Sequence, residues 1–213
     1  IKPLIHLITW IIILIIILFT ADNSYSQPGW VQQNSGTTNN LSDIKFVDDN
    51  TGFILINPFL KTTNGGINWV QVPGLPPVTN ISWADALTGY GCNDSLFKTI
   101  DGGNSWTNLN QNLFKQVSFA NTMTGYATCT PDYISDFAIT RLKKTIDGGS
   151  TWNSVLEFYV YANPNEWHNF YHIQTVNPQV TYFTINYEEI PGNHWSRVYR
   201  TSDGGSNWLI SRN

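Results

Sequence analysis

Short runs in which apolar and polar residues alternate occur along most of the chain after residue 40, and glycine-rich turns separate them. Such alternation is typical of strands that bury one face. In three of these runs, which begin at Ile44, Ile81 and Val117, a Gly-aromatic pair follows eight positions after the first apolar residue. A fourth run begins at Ile173 and keeps this spacing, but Thr181 replaces the glycine and the inner aromatic residue is lost. Each run predicts two antiparallel strands joined by a turn.

A second phrase follows each run and consists of Thr, any residue, Asp or Asn, two glycines, two variable residues and Trp. We call these segments turn motifs 1 to 4; they cover residues 62–69, 99–106, 145–152 and 201–208. The glycines supply the positive φ of a tight turn, and the Asp side chain accepts hydrogen bonds from nearby backbone N–H groups. The Trp begins the next strand and covers the turn with its indole ring. The phrase therefore predicts a structural brace.

Four positions of each motif are predicted to build this brace: the Thr, the acid or amide, the second glycine and the Trp. They are Thr62, Asn64, Gly66, Trp69, Thr99, Asp101, Gly103, Trp106, Thr145, Asp147, Gly149, Trp152, Thr201, Asp203, Gly205 and Trp208. Motif 1 differs because its Asn keeps one acceptor oxygen but carries no charge. Since the aspartates are assigned to their own turns, we expect neither catalytic residues nor a metal site among them.

The two phrases together predict units of four short strands, which are the blades of a β-propeller. The expected fold class is all-β, a β-propeller of four-stranded antiparallel blades. The blades are predicted at residues 41–72, 78–110, 114–156 and 168–213. The spacing between successive motif tryptophans grows from 37 to 46 and then 56 residues, which predicts insertions near residues 131–140 and 158–195.

The turn motifs resemble the Asp-box, or BNR repeat, of β-propeller proteins, whose pattern is Ser/Thr-x-Asp-x-Gly-x-x-Trp. Together with the upstream Thr-Gly-aromatic phrase, they resemble the blades of the photosystem II stability/assembly factor-like propellers over about residues 41–208. The resemblance implies that the motifs are peripheral hairpin braces, as they are in the sialidases that carry them. It also implies a binding, scaffolding or assembly module that needs no cofactor.

The N-terminal residues have the layout of a secretory signal peptide. Residues 4–19 are almost wholly apolar, Lys2 precedes them, and the small-x-small site Ser24-Tyr25-Ser26 follows. This predicts a signal peptide over residues 1–26 and a mature propeller domain over 27–213. The alternative is a retained anchor, although the apolar run is shorter than the roughly 20 residues of a membrane-spanning helix. The protein is expected to be secreted, periplasmic or on the cell surface, with membrane contact only through an uncleaved signal segment.

Both ends of the sequence are expected to be cut, because the chain opens on Ile1 and stops soon after motif 4. Propellers typically contain four to eight blades. The sequence therefore predicts a fragment of a six- to eight-bladed ring, in which an N-terminal strand at residues 29–33 completes the last blade. A closed four-bladed ring is the alternative.

Composition narrows the range of partners. Charged residues make up 12% of the chain and the net charge is −4, which gives no support to nucleic-acid binding. Cys92 and Cys129 follow the Gly-aromatic step in adjacent blades, and export would permit a disulfide. A bridge and two separately buried thiols both remain open.

Enzymatic alternatives depend on residues between the motifs. Sialidase chemistry needs an arginine cluster, and three of the four arginines instead crowd around motif 4. Xyloglucan-cleaving enzymes use two carboxylates that face each other across a cleft. No spacing in this chain singles out such a pair, so a xyloglucanase- or sialidase-like hydrolase with carboxylates partly outside this sequence stays an alternative.

The long insertion is the predicted binding region because exposed aromatic residues concentrate there. The candidate ligand-binding residues are Tyr159, Tyr161, Trp167, Tyr171 and Trp195. Such side chains stack on sugar rings or anchor a protein partner. Glu166, His168 and His172 could bind a metal if they shared a face of one strand, but a polar edge of the insertion accounts for them as well. The sequence thus favours an exported, non-catalytic binding or scaffolding module whose protein or glycan partner is unknown.

Overall fold

The protein is described by a computed structural model, which covers residues 29, 31–56, 59–134, 137–161, 166–189 and 193–211. The chain divides into two compact units, residues 1–33 and 34–213. The predicted signal peptide lies outside the described residues. Of the predicted strand at 29–33, Gly29 and residues 31–33 are described and belong to no strand. Within the described ranges, no helix is both long and apolar enough to cross a membrane.

The first sheet is a simple antiparallel meander. Its strands, in the order β1-β2-β3-β4, are β1 (Asp43–Phe46), β2 (Gly52–Leu55), β3 (Phe59–Thr62) and β4 (Val70–Val72). Turn motif 1 connects the third strand to the fourth, as the alternation of apolar residues and glycine turns predicts. We call this sheet blade 1.

The second sheet has seven strands and contains the next two blades. Its strands are β5 (Asn80–Trp83), β6 (Gly89–Thr99), β7 (Thr107–Phe119), β8 (Gly125–Cys129), β9 (Asp132–Ile134), β10 (Phe137–Thr145) and β11 (Asn153–Tyr161). The order is β5-β6-β7-β8-β10-β11, and β9 pairs with β10. Blade 2 is β5, β6 and the first part of β7; blade 3 is the rest of β7 with β8 to β11.

The predicted boundary between residues 110 and 114 is not a break in the chain's strand structure, because β7 runs through it. Its first part pairs with β6 and its second part pairs with β8, with register shifts between Asp94 and Phe97 and between Phe114 and Gln116. Asn110 and Leu113 adopt positive φ values of 56° and 73° on this strand. These left-handed residues and bulges let one long strand pass from the edge of one blade to the inner position of the next.

The third sheet, blade 4, holds the long insertion. Its strands, in order, are β12 (Glu166–Thr175), β13 (Thr181–Glu189), β14 (Asn193–Thr201) and β15 (Leu209–Ser211). The insertion residues extend β11 to β14 beyond the length of the blade 1 strands. Where the structure describes it, the inserted sequence therefore lengthens existing strands.

The apolar core lies between successive blades. The aromatic residue of the second strand of one blade packs on the inner strand of the next, as in the stacked pairs Phe53–Trp83, with ring centroids 3.5 Å apart, and Tyr90–Phe119, at 3.4 Å. Tyr126 packs in the same way on blade 4, where it meets the edge of Trp208. Burial of these large rings is the main apolar contribution to blade packing.

A lysine joins each of the first three blades to the turn motif of the next, and we call this contact the blade latch. The Nζ atoms donate to carbonyl oxygens as follows: Lys61 to Gly102 at 3.4 Å, Lys98 to Gly148 at 3.3 Å and Lys144 to Gly204 at 2.7 Å. Each ammonium also lies 5.2 to 5.6 Å from the centroid of an aromatic ring of its own blade. A cation over a ring adds electrostatic attraction to the hydrogen bond.

The glycine of the Gly-aromatic pair is required by the inner aromatic residue opposite it. Gly125 pairs directly with Phe119, and a Cβ on this glycine would lie 2.6 Å from the phenyl ring. Blades 1 and 2 show the same close approach. In blade 4, Thr175 replaces the aromatic residue and pairs with Thr181, which replaces the glycine. The two losses seen in the fourth repeat therefore have one steric cause.

Candidate ligand-binding surface

Turn motif 2 shows how the brace is built. The Thr99 hydroxyl donates to Asp101 Oδ1 at 2.8 Å and accepts from the backbone N–H of Gly103 at 3.0 Å. The backbone N–H and the hydroxyl of Ser105 donate to Oδ1 and Oδ2 of the same carboxylate, at 2.9 and 2.6 Å. The Trp106 indole N–H closes the turn on the Gly103 carbonyl oxygen at 3.1 Å. The carboxylate is thus occupied by its own turn.

Motifs 3 and 4 repeat these contacts. Thr145 and Thr201 each donate to their aspartate at 2.8 Å, and Trp152 and Trp208 donate to the carbonyl oxygens of Gly149 and Gly205 at 3.1 and 3.2 Å. In motif 1, Asn64 Oδ1 accepts from the Thr62 hydroxyl at 3.0 Å and from the backbone N–H of Asn68 at 2.9 Å. The amide oxygen therefore takes the place of Oδ1 in the charged motifs.

The hydrogen bonds keep the motif aspartates ionised. The pKa of Asp101 is lowered to about 2, first by the Ser105 hydroxyl and then by the Ser105 backbone N–H. The pKa of Asp147 is lowered to about 2 chiefly by the Thr151 hydroxyl, and that of Asp203 to about 2 chiefly by the Asn207 backbone N–H. A group with this pKa is a poor proton donor at neutral pH.

A cavity of about 460 Å³ lies between the innermost strands of the four blades. Much of its polar lining holds the blades together: Asn80 Oδ1 accepts from the backbone N–H of Val117 at 2.8 Å, and Ser82 Oγ from that of Phe119 at 2.9 Å. The only carboxylate among its described lining residues is Asp43. Asp43 Oδ2 lies 3.7 Å from the Nζ of Lys45, which also lines the cavity.

Tyr159 is the predicted binding residue whose side chain the structure describes, and it is 66% exposed on β11. Its hydroxyl donates to Glu157 Oε2 at 3.0 Å. Arg141 Nε donates to Glu157 Oε1 at 2.9 Å, and its NH1 group donates to Asp132. We call these four residues (Asp132, Arg141, Glu157 and Tyr159) the Arg141 platform.

Strand pairing places the Arg141 platform on one face of blade 3. Arg141 on β10 is directly opposite Glu157 on β11, and Ile139 pairs both with Asp132 on β9 and with Tyr159. The Arg141 side chain lowers the pKa of Glu157, while the hydrogen bond to Glu157 raises the pKa of Tyr159. The arginine thus has two carboxylate partners, and the tyrosine ring remains open to solvent.

The other predicted binding residues lie on described strands, but their side chains are outside the described part of the structure. They are Tyr161 on β11, Trp167 and Tyr171 on β12 and Trp195 on β14. Trp167 pairs with Glu188, and Trp195 pairs with Tyr187. The register shifts between Phe170 and His172, so the strict alternation assumed for a metal-binding face of β12 does not hold.

The cysteines are free thiols in two neighbouring blades. Cys92 and Cys129 are both buried and belong to the same apolar cluster. Burial raises the pKa of Cys92 to about 12 and that of Cys129 to about 11. The sequence left open a disulfide or two separately buried thiols, and the structure contains the two buried thiols. No cluster of three or more potential metal-ligating side chains occurs among the residues that are described.

Sequence reasoning missed Asp132, Arg141 and Glu157 as a group. A 16-residue separation along the chain brings Arg141 opposite Glu157, and only knowledge of the β10–β11 register could have shown this. It also missed the structural role of Ser82 and Ser118, whose hydroxyls accept from backbone N–H groups of the next blade. The recurrence of Ser after the first apolar residue of two runs was the available pattern.

Comparison with known proteins supports the architecture at low sequence identity. No family model and no curated protein matches this chain. Among solved structures, it is similar to the GH74 xyloglucanase from Xanthomonas campestris, with a TM-score of 0.56, 14% identity and coverage of 76% of this chain and 28% of that one. It is also similar to the GH74 enzyme of Niastella koreensis, with a TM-score of 0.49, 16% identity and coverage of 77% of this chain and 28% of that one. A third similar structure is YCF48 bound to D1 peptide, with a TM-score of 0.45, 13% identity and coverage of 85% of this chain and 84% of that one.

These likenesses concern the fold. The chain spans 28% of the length of each of the two GH74 enzymes, and every identity is below 20%. Antiparallel sheets with apolar clusters between neighbouring blades, together with the similarity to the Xanthomonas enzyme, confirm the predicted fold class. The protein is an all-β chain with a β-propeller fold.

Proposed function

We propose that this protein is an exported β-propeller of the Asp-box (BNR) type, similar to the photosystem II stability/assembly factor-like family, that acts as a non-catalytic binding or scaffolding module. The observation that carries the proposal is the Arg141 platform, where an exposed tyrosine ring is held by a charged network outside the cavity. A ring fixed in this way can stack on a sugar or anchor a protein partner at a small cost in side-chain entropy.

The directions of the resolved pKa shifts support a non-catalytic role. A glycosidase needs a general acid with a raised pKa, but the pKa values of Glu157 and of the three motif aspartates are all lowered. A tyrosine nucleophile is activated when its pKa is lowered, whereas that of Tyr159 is raised. The hydrolase alternative also requires two facing carboxylates, and the described lining of the cavity contributes only Asp43.

The proposal is tested by screening the full chain against glycan and peptide arrays, with a parallel hydrolysis assay on the same polysaccharides, including xyloglucan. We expect binding without turnover, and we expect Tyr159→Ala to abolish most of the binding. Tyr133→Ala is the matched control, because Tyr133 is a similarly exposed tyrosine on neighbouring β9. It pairs with Ala138, which is one residue before the Ile139 that pairs with Asp132 of the platform. Turnover of any polysaccharide, or equal binding by the two variants, would refute the proposal.

A further inference from the structure

Turn motif 1 contains the only Asn-Gly pair of the sequence, Asn64-Gly65. An asparagine followed by glycine deamidates readily, because no side chain hinders the approach of the next backbone nitrogen to the amide carbon. In this reaction the Gly65 nitrogen attacks Cγ of Asn64 and loses its proton, and Nδ2 leaves as ammonia. Water then opens the cyclic imide to aspartate or isoaspartate. Whether this happens depends on how the folded turn holds the two reacting atoms.

Both reacting groups are engaged in other hydrogen bonds in the folded turn. The backbone N–H of Gly65 donates to the Asn50 carbonyl oxygen at 2.9 Å, so the attacking nitrogen keeps its proton. Asn64 Oδ1 accepts from the Thr62 hydroxyl at 3.0 Å and from the backbone N–H of Asn68 at 2.9 Å, which fixes the amide. Cyclisation therefore requires both sets of hydrogen bonds to break. Because Gly65 is exposed, water reaches the pair once they do.

The short turn between β1 and β2 keeps the Asn50 carbonyl oxygen in position. Asp48 Oδ1 accepts from the backbone N–H groups of Asn50 and Thr51, at 2.8 and 2.6 Å. The backbone N–H of Val47 donates to the Thr51 carbonyl oxygen at 3.0 Å and closes the turn. Since Asp48 is exposed and lies outside turn motif 1, it can be replaced without changing the reacting pair. The chain thus offers a substitution that loosens the acceptor of the Gly65 N–H alone.

We propose that Asn64 is a deamidation site that the folded turn blocks and that local opening of blade 1 makes reactive. Modification of a transiently open state follows the population of that state when the turn closes faster than it reacts. The aspartate product keeps the acceptor oxygens of motifs 2 to 4, so the turn reforms around it. The isoaspartate product adds one backbone atom between Thr62 and Gly66, and the 3.0 Å hydrogen bond from the Gly66 N–H to the Thr62 hydroxyl is lost. In chains that form isoaspartate, an opening of blade 1 thereby becomes a permanent loss of motif 1. This inference does not depend on the proposed ligand.

The first test compares the native chain in its folded state and in urea. Both samples are incubated at mildly alkaline pH, and deamidation at Asn64 is followed by peptide mass spectrometry. We expect the reaction to be at least about tenfold slower in the folded chain, a ratio that corresponds to about 1.4 kcal/mol of protection. Equal rates in the two states would overturn the block by the folded turn. Absence of deamidation at Asn64 in urea would overturn the site itself.

The second test replaces the residue that fixes the Asn50 carbonyl oxygen. Asp48→Ala is expected to speed deamidation at Asn64 in the folded chain roughly fivefold or more, because it removes the acceptor of two turn N–H groups. Asp85→Ala is the matched control and should leave the rate at Asn64 close to that of the native chain. Asp85 is exposed and accepts in the same way from the backbone N–H groups of Leu87 and Thr88 in blade 2, at 2.8 and 2.6 Å. A general loss of stability would speed the reaction equally in both variants, so equal rates would overturn the proposal.

The two products are tested separately. Asn64→Asp carries the aspartate product and is expected to fold with a melting temperature no lower than that of the native chain. Chains deamidated in urea are returned to buffer, and those with isoaspartate at position 64, separated by chromatography, should melt at a lower temperature than those with aspartate. A destabilised Asn64→Asp variant, or equal melting of the two products, would contradict the proposed fate of the turn.

Discussion

At the residue scale, the threonine hydroxyl organises each turn. In motif 2 it donates to Asp101 and accepts from the Gly103 amide, and the glycine pair there has φ values of 71° and 92° that other residues rarely adopt. The buried N–H of Gly103 would otherwise be unsatisfied, at a cost of about 1–3 kcal/mol. The Asp, the Thr and the glycine therefore depend on one another, which explains why the phrase is repeated almost unchanged.

The lowered pKa values predict acid sensitivity of three motifs. Because the folded pKa of Asp101, Asp147 and Asp203 is about 2, below the usual 3.8, the carboxylate bonds stabilise the fold fully above pH 4. This contribution is lost as the pH falls towards 2. Replacing all three by Asn should lower the melting temperature at pH 6 and make little difference at pH 2. A constant difference between the variant and the native chain over this range would contradict the assignment.

At the element scale, the packing of each blade depends on pairs of residues that lie opposite each other on neighbouring strands. Gly125 is opposite Phe119, and Thr181 is opposite Thr175, with a Thr181 hydroxyl 3.4 Å from that of Thr175. The glycine in the aromatic pairs has no need of a positive φ. It is required only because a Cβ would overlap the ring.

A double-mutant cycle tests this pairing. Gly125→Thr alone should destabilise the fold by about 1–3 kcal/mol through overpacking, and Phe119→Thr alone by about 3–5 kcal/mol through loss of a buried ring. The double variant reproduces the Thr–Thr pair of blade 4, so it should be more stable than the sum of the two single losses predicts. Urea unfolding measures all four free energies of unfolding. Strict additivity would show that the two positions are independent.

At the scale of the whole molecule, stability depends on contacts between blades. Lys144 joins blade 3 to the Gly204 carbonyl oxygen at 2.7 Å, the shortest of the three latches. Lys144→Met keeps the aliphatic stem over Tyr126 and removes the donor, so it should lower the free energy of unfolding by about 1–2 kcal/mol. Lys115→Met is the control, because the exposed pair of Lys115 with Asp94 should contribute less than about 1 kcal/mol. Equal losses in the two variants, measured by urea unfolding, would contradict the latch.

At this scale the fold was predictable from the sequence, whereas the course of β7 and most of the Arg141 platform were not. The propeller fold was predictable because each repeat contains its own turn residues, such as those of 99–106, and its own alternating strand residues close by in sequence. The passage of β7 from blade 2 to blade 3 was not, since it depends on left-handed residues at Asn110 and Leu113 that no motif marks. The Arg141 platform was half predicted: Tyr159 is an aromatic residue in an insertion, but its partners Arg141 and Glu157 meet only through strand register.

We propose that the repeated motifs hold the scaffold while ligand recognition lies between them, and blade 3 contains residues of both kinds. The most direct measurement compares Asp147→Asn and Tyr159→Ala for melting temperature at pH 6 and for binding to ligands found on the arrays. We expect Asp147→Asn to lower the melting temperature and leave the dissociation constant unchanged, whereas Tyr159→Ala should raise the dissociation constant and leave the melting temperature unchanged. Loss of binding in Asp147→Asn with an unchanged melting temperature would contradict this proposal.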